Sequence, residues 1–158
     1  MDRSVAYVQL GPDECWSLLR RSAAGRVVFT HQALPSVALV NYALVGDLIV
    51  FGVGERSKLS GLLDGQVVAF EVDDVDPSTG TGWSVLVVGR SARVADADIT
   101  RRLPPLALYP SSLDGPNAYV GVTGEKITGR VWDGFDGLLI DSEHWEATSD
   151  RDPRTGRP

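Results

Sequence analysis

A glycine-rich segment with a hydroxyl and a lysine is the first place where this chain could hold an anion. Two glycines, Gly52 and Gly54, follow an apolar run, and Ser57-Lys58 then opens a short helical stretch. Backbone N–H groups, a serine hydroxyl and a lysine ammonium can together bind a phosphate. The spacing matches neither a Walker A loop nor a complete dinucleotide fingerprint, so a glycine-rich turn with solvated charges is the alternative interpretation.

A second candidate is the segment Thr128–Trp132. Side chains alternate between the two faces of a strand, which puts Thr128, Arg130 and Trp132 on one face. A guanidinium beside an indole can hold an anionic or aromatic ligand, or a partner chain. A cation–π pair between Arg130 and Trp132 on an exposed sheet is the alternative.

A third signal is an amide at the end of an apolar row. Asn41 shares a strand face with Val37 and Leu39, and Tyr42 follows it. A buried amide needs hydrogen-bond partners from the backbone or from a ligand, and a structural asparagine beside a turn meets that need without any ligand.

One further strand begins with two polar-tipped side chains, Trp83 and Ser84. Four apolar residues follow, Val85–Val88, and such a run predicts burial on both faces of the sheet. The strand is therefore predicted to belong to the core, and only its first residues could contact a ligand.

Several other chemistries lack support in the sequence. The chain has no Gly-x-Ser-x-Gly nucleophile elbow. Its two histidines, His31 and His144, are far apart in sequence, and the acidic stretch from Asp73 to Asp76 lacks the calcium-loop pattern. We therefore predict no metal site, and we cannot name a catalytic acid or base.

Composition narrows the class of protein. The 158 residues carry 15 Lys and Arg against 21 Asp and Glu, a formal net charge of −6, so we expect no nucleic-acid partner. The single Cys15 excludes an internal disulfide and a multi-cysteine zinc site. No apolar run approaches the ~20 residues of a membrane helix. The first residues, Met1–Ser4, open no signal peptide, and we expect a cytoplasmic protein without a membrane partner.

The elements that must position these residues are mostly strands. A helix is predicted from Pro12, with Ala23–Gly25 ending it, and shorter helical segments over Ser57–Leu63 and from Asp96 to Ile99. The predicted strands are Arg26–Thr30, Ser36–Leu44, Leu48–Val53, Gln66–Val72, Trp83–Val94, Ala118–Thr123 and Lys126–Trp132.

Short turns between strands favour an antiparallel barrel or sandwich with a few helices. The turn-rich stretches 73–82 and 106–117 are predicted loops. We expect one domain over residues 1–145 and a polar tail over residues 146–158.

The chain resembles the pyridoxamine 5′-phosphate oxidase-like family, the flavin-binding split β-barrels, and above all its short actinobacterial members. The resemblance spans about residues 10–132 and lies in the order and spacing of short sequence motifs. These are Glu14-Cys15-Trp16, Gly25–Phe29, Val40-Asn41-Tyr42, Ile49-Val50-Phe51, Ser57-Lys58-Leu59, Val68–Asp73, Gly82–Val85, Gly89-Arg90 and Ile127–Arg130.

This resemblance implies a mainly β split barrel of the FMN-binding type and a homodimer with the cofactor at its interface. It implies that Ser57 and Lys58 hold the phosphate of FMN. The flavin ring would lie along Asn41 and Tyr42 and near Trp83 and Ser84. Arg130 and Trp132 would reach in from the partner subunit. The implied activity is flavin redox chemistry on an unknown small organic substrate, and some relatives use a deazaflavin instead.

The chain also departs from the family pattern. Relatives commonly carry an Arg-Thr-like pair where this chain has Gly52 and Val53, and basic or hydroxyl residues where it has Leu39 and Val40. Arg56 could replace one lost contact. A non-catalytic accessory dimer that has lost tight flavin binding is therefore the second hypothesis. A structural β-protein without a small-molecule site is the third.

Overall fold

The computed structural model describes residues 7–103 and 118–133. Within these ranges eight strands form one antiparallel sheet, accompanied by two α-helices and a 3-10 helix. The strands are β1 (Tyr7–Leu10), β2 (Ala24–His31), β3 (Leu34–Asn41), β4 (Ala43–Val45), β5 (Leu48–Val53), β6 (Val67–Val75), β7 (Gly82–Arg93) and β8 (Ala118–Trp132). The helices are α1 (Pro12–Arg21), the 3-10 helix Lys58–Asp64 and α2 (Ala97–Arg101). The predicted mainly β, antiparallel fold is confirmed.

The sheet follows the order β3-β2-β6-β7-β8-β5-β4. Strand β8 has β7 along one edge, and along the other edge it pairs first with β5 and then with β1. Strands β3 and β5 also approach each other, so the sheet curls around an apolar interior. The result is a half-barrel with an inner and an outer face.

Strand β8 is continuous, where the sequence predicted two strands. Val88 pairs with Lys126 and Gly89 pairs with Gly124, so Glu125 is the extra residue of a bulge. The bulge brings the backbones close, since a Cβ at position 89 would lie 2.0 Å from the carbonyl oxygen of Thr123. One strand thus runs from the β5 side of the sheet to the β1 side.

The inner face forms the core. The fully buried Phe51 and Phe70 stack with ring centroids 6.4 Å apart. Helix α1 closes this core with Cys15 and Leu19, both without exposed surface. Its start is fixed by Glu14, whose carboxylate accepts a hydrogen bond from the Gly11 N–H at 2.8 Å. The helix ends at Arg21, and β2 begins already at Ala24, within the predicted helix end.

The outer face carries the other half of each strand. One cross-strand row on it is set by direct pairing across five strands, namely Leu39, Arg26, Glu71, Leu86 and Thr128. Leu39 is 72% exposed and Leu86 is 39% exposed. The run Val85–Val88 is therefore covered on one face only, and the prediction of burial on both faces is wrong for Leu86.

Two further differences from the sequence prediction affect the outer face. Strand β1 was not predicted, because its four residues carry no periodicity that stands out. Strand β6 continues to Val75, so the predicted loop 73–82 shrinks to a turn over residues 76–81. Pairing with β7 stabilises these added strand residues.

The predicted loop 106–117 and the predicted tail 146–158 lie outside the described residues, as does the boundary at residue 145. None of the helices in the described ranges has the length and apolar character needed to cross a membrane.

Candidate functional site

A pocket of about 440 Å³ opens on the outer face near the ends of β7 and β8. Side chains from four strands line it, and they combine aromatic rings, hydroxyls and one charge of each sign. The side chains belong to Tyr7, Glu71, Ser84, Leu86, Thr128, Arg130 and Trp132, and the backbone of Gly129 completes the lining. Three of the residues predicted from sequence, Ser84, Arg130 and Trp132, are thus brought together here.

Strand register explains this grouping. Ser84 pairs directly with Arg130, and Leu86 pairs with Thr128. Trp132 pairs with Gly82 on one side and with Tyr7 on the other. Directly opposed residues of antiparallel strands point to the same face, so their side chains meet.

The guanidinium of Arg130 lies over the ring of Tyr7, with Cζ 5.4 Å from the ring centroid. A cation–π pair of Arg130 with Trp132 was the alternative interpretation of the sequence, but β1 supplies Tyr7 as the aromatic partner. Among the described residues Arg130 forms no ion pair. Its positive charge is therefore available to a ligand in the pocket.

Glu71, which supplies the carboxylate of the pocket, already forms an ion pair with Arg26. Arg26 donates a hydrogen bond to Glu71 at 3.2 Å and a second one to Asp73. The hydrogen bond to Asp73 and its charge raise the pKa of Arg26, with a smaller effect from Glu71. Glu71 thus enters the pocket as a carboxylate whose charge Arg26 partly offsets.

Asn41 lies on the outer face but outside the pocket. It ends β3 and pairs with Ala24 of β2, and it is exposed. Strands β2 and β6 separate β3 from β7, which makes three spacings of about 4.8 Å between Asn41 and Ser84. One ligand about 14 Å long could reach both.

Tyr42 belongs to the core. Only 3% of it is exposed, and its hydroxyl donates to the carbonyl of Leu19 at 2.6 Å. Its ring meets Phe70 edge-on, with centroids 4.9 Å apart. Burial raises the pKa of Tyr42 to about 12.

Trp83 lies next to Ser84 in sequence but lines other cavities. It borders a space of about 300 Å³ with Leu18 and Val131 and another of about 400 Å³ with Arg21 and Asp74. Both spaces lie against helix α1. The cofactor roles of Tyr42 and Trp83 stay predictions, since neither residue lines the outer-face pocket.

Ser57 and Lys58 also lie outside this pocket. The Ser57 hydroxyl donates to the carbonyl of Gly54 at 2.7 Å, which closes the turn before the 3-10 helix. Lys58 is exposed. Both residues follow β5, and the last residue of β5, Val53, pairs with Ala118 at the start of β8. Arg130 and Trp132 lie at the opposite end of β8.

Sequence reasoning missed several lining residues, above all Tyr7 and Glu71. Tyr7 is in the pocket only because β1 pairs with the end of β8. Glu71 alternates with the buried Phe70 and Val72, and this alternation was the one signal that could have placed it on the outer face.

Comparison with known proteins decides the family. The model of the pyridoxamine 5′-phosphate oxidase family matches residues 11–131. The chain belongs to this family. An uncharacterized protein of Mycobacterium tuberculosis is 36% identical over 127 residues, which are 77% of this chain and 83% of that protein.

Solved structures of other proteins share the fold. The FAD binding protein from Mycobacterium smegmatis is 30% identical, with a TM-score of 0.64 over 79% of this chain and 97% of that one. The FAD and heme binding protein from the same organism is 16% identical, with a TM-score of 0.60 over 95% of this chain and 93% of that one. The expected membership in the pyridoxamine 5′-phosphate oxidase-like split barrels is confirmed.

Proposed function

We propose that this protein is a flavin-dependent oxidoreductase that binds FMN between two copies of the chain and acts on a small organic molecule. The observation that carries the proposal is the pocket of Ser84, Arg130 and Trp132, which opens on an exposed, largely apolar sheet face. The FAD-binding relative supports a flavin as the cofactor, and the choice of FMN is part of the proposal.

The chemistry of the pocket fits a flavin ring. The ring is flat, polar at one edge and more negative when reduced. Trp132 and Tyr7 offer aromatic surface, Arg130 offers a positive charge, and Ser84 offers a hydroxyl. A bound flavin would supply hydride transfer, while these side chains orient the ring and exclude water from it.

A second copy of the chain is the natural cover for the outer face. Val37 and Leu39 of β3 are more than half exposed. A row of directly paired apolar residues, Val37, Val28, Ala69 and Val88, leads from β3 to β7, where Leu86 borders the pocket. Exposed apolar patches of this kind usually mark interaction sites. A twofold dimer would bury the same patch of both copies and deepen the pocket.

The phosphate-binding role of Ser57 and Lys58 fits this dimer. One chain keeps them away from Arg130, so a cofactor that contacts both groups would take Lys58 from one copy and Arg130 from the other. Asn41 would then contact the ring edge on the side opposite Ser84. The twofold arrangement makes two equivalent sites.

A visible absorbance titration tests the cofactor. FMN, FAD and a deazaflavin are added separately to the purified protein, and a perturbed spectrum at one FMN per chain is the expected result. A spectral shift with FAD alone, or with the deazaflavin alone, would mean that this compound and not FMN is the cofactor. No shift with any of the three would contradict flavin binding.

A charge variant tests the pocket itself. Arg130→Ala removes a charge-assisted contact and is expected to weaken FMN binding by about 2 kcal/mol. Arg90→Ala is the matched control, because Arg90 is an exposed arginine on the same strand pair, and its one ion pair within the described residues is with Glu125 at 3.4 Å. Equal affinity in both variants would place the flavin elsewhere.

A surface variant tests the dimer. Leu39→Glu adds a charge at the most exposed of these apolar residues, on the edge strand β3, and is expected to produce a monomer in analytical ultracentrifugation. Ala95→Glu adds the same charge at an exposed position between β7 and α2 and should leave the assembly unchanged. A wild-type chain that sediments as a monomer at all concentrations would contradict the two-copy site.

A second function, the accessory dimer without tight flavin binding, is favoured by one observation. Gly52 and Val53 stand where relatives carry polar phosphate contacts, and both are buried in β5. They cannot contact a phosphate through a side chain. Lys58→Ala separates the two functions, since it should weaken FMN by about 2 kcal/mol if the phosphate binds here and leave any weak affinity unchanged if it does not.

A further inference from the structure

Trp132 is held by a turn that does not itself line the pocket. The indole Nε1 donates a hydrogen bond to the carbonyl of Gly80 at 3.0 Å. Gly80 lies in the turn between β6 and β7 and has a φ of +69°. Such a conformation suits glycine, because a Cβ would crowd the backbone there.

Gly82 leaves the space that the indole occupies. It is the direct cross-strand partner of Trp132. A Cβ at this position would lie 2.7 Å from Cζ2 of Trp132 and 2.7 Å from the carbonyl oxygen of Asp74. Both distances are too short for carbon, so any larger residue would displace the indole or the backbone.

The turn is itself well braced. The Asp76 N–H donates to the carbonyl of Thr81 at 2.9 Å, and the Gly80 N–H donates to the carbonyl of Asp76 at 2.8 Å. The Asp76 carboxylate also accepts hydrogen bonds from the N–H and the hydroxyl of Ser78, at 2.8 and 2.6 Å. The acceptor for the indole is therefore fixed before any ligand binds.

We propose that the β6–β7 turn is a positioning device for Trp132. Gly80 supplies the acceptor and Gly82 the space, so the indole presents a fixed wall to a flat aromatic ligand. The identity of that ligand as a flavin rests on the proposed function, whereas the fixing of the indole does not. Gly80 and Gly82 are positioning residues, and neither contacts the ligand.

The first test reads the indole directly. Trp132→Phe identifies the Trp132 indole N–H signal in a 15N-resolved NMR spectrum of the full chain. Gly80→Ala is compared with Gly46→Ala, a matched control in another hairpin turn with a φ of +62° and open space around it. Hydrogen exchange at this N–H should accelerate about tenfold in Gly80→Ala and stay unchanged in Gly46→Ala. Equal exchange in wild type and Gly80→Ala would overturn the proposal.

A second variant covers the case in which Gly80→Ala fails to fold. Gly82→Ala should shift the same indole N–H signal, because the new Cβ occupies the position of the ring. If this signal keeps its wild-type position and exchange rate in a folded Gly82→Ala protein, the indole is not held as proposed.

The third test asks whether the position of the Trp132 indole affects FMN affinity. FMN affinity should fall about tenfold on Gly80→Ala in the wild-type background and less than about twofold in a Trp132→Ala background, because the turn acts through the indole. Equal losses in both backgrounds would overturn the proposal. A wild-type chain that binds no FMN would refute the proposed function instead, and the exchange measurement would still decide the positioning.

Discussion

The two faces of the curled sheet are formed by the same strands but differ in how far their side chains are buried. On the inner face, side chains such as Phe70, Val27 and Val85 are completely buried. On the outer face, residues one position away remain exposed, among them Arg26, Leu86 and Leu39. Strand periodicity assigns residues to the two faces, and what covers each face then decides its role.

The difference teaches where stability and function reside in this fold. The inner face is closed by α1 and by the curl of the sheet itself, and in the described ranges no buried side-chain nitrogen or oxygen lacks a hydrogen-bond partner. The outer face carries the cation of Arg130, the aromatic rings of Tyr7 and Trp132, and exposed apolar side chains. Substitutions on the inner face should therefore act on folding, and those on the outer face on binding and assembly.

The largest contrast is expected between Phe70 and Leu86. Phe70→Ala leaves a cavity beneath Tyr42 and Phe51 and should lower the free energy of unfolding by about 3–5 kcal/mol. Leu86→Ala removes a partly exposed side chain and should cost less than about 1 kcal/mol under monomeric conditions. Urea denaturation of both variants measures the difference. Similar losses would mean that the outer face is packed as tightly as the core.

A smaller effect is expected where the two faces meet. Gly129 lines the outer-face pocket, and a Cβ added to it would lie 2.6 Å from Sγ of Cys15 in the core. Gly129→Ala should therefore cost about 2 kcal/mol through overpacking. Combining it with Cys15→Ala removes the clashing sulfur and should recover part of this loss in a double-mutant cycle measured by thermal unfolding. Strictly additive losses would show that the loss from Gly129→Ala does not come from the contact with Cys15.

The smallest effect concerns the inner-face hydroxyl of Tyr42. Tyr42→Phe loses the hydrogen bond to Leu19 and should cost about 1 kcal/mol at neutral pH. The folded state raises the pKa of Tyr42 to about 12, above its usual value of 10.0, because burial disfavours the phenolate. The folded chain then binds more protons than the unfolded chain between these values, so stability should fall as the pH rises through this window.

Denaturation of wild type and Tyr42→Phe across pH 9 to about 12 checks this prediction. The wild-type protein should lose stability more steeply than the variant as the pH rises. Parallel curves would mean that Tyr42 titrates normally, and the inner face would then be less closed than its contacts indicate.

Much of the fold could be predicted from the sequence. The strand-forming residues of Arg26–Thr30 and Gln66–Val72 indicate strands, and the proline and acidic residues at Pro12–Glu14 indicate the start of α1. The continuity of β8 could not be predicted, because Gly124 and Glu125 resemble a turn. Only pairing with β7, which continues past the bulge, shows that the strand does not end there.

The candidate site was predictable in part. Ser84, Arg130 and Trp132 were named from local patterns, but their meeting depends on the register between β7 and β8. Tyr7 could not be assigned, since its segment forms a strand only by pairing with β8. The separation of Trp83 from Ser84 follows from alternation, but the helix that lines the cavities beside Trp83 is a tertiary contact.

The sequence by itself determined the family, the dominance of antiparallel strands and the residues that alternate between the faces, since periodicity and local motifs are properties of neighbouring residues. Only the tertiary structure decided that Arg130 meets Tyr7 rather than Trp132, that Trp132 is anchored to Gly80, and that apolar side chains of the outer face such as Leu39 are exposed. The reason is physical: strand register and sheet curl are set by long-range packing, and no local pattern encodes which strand lies beside which.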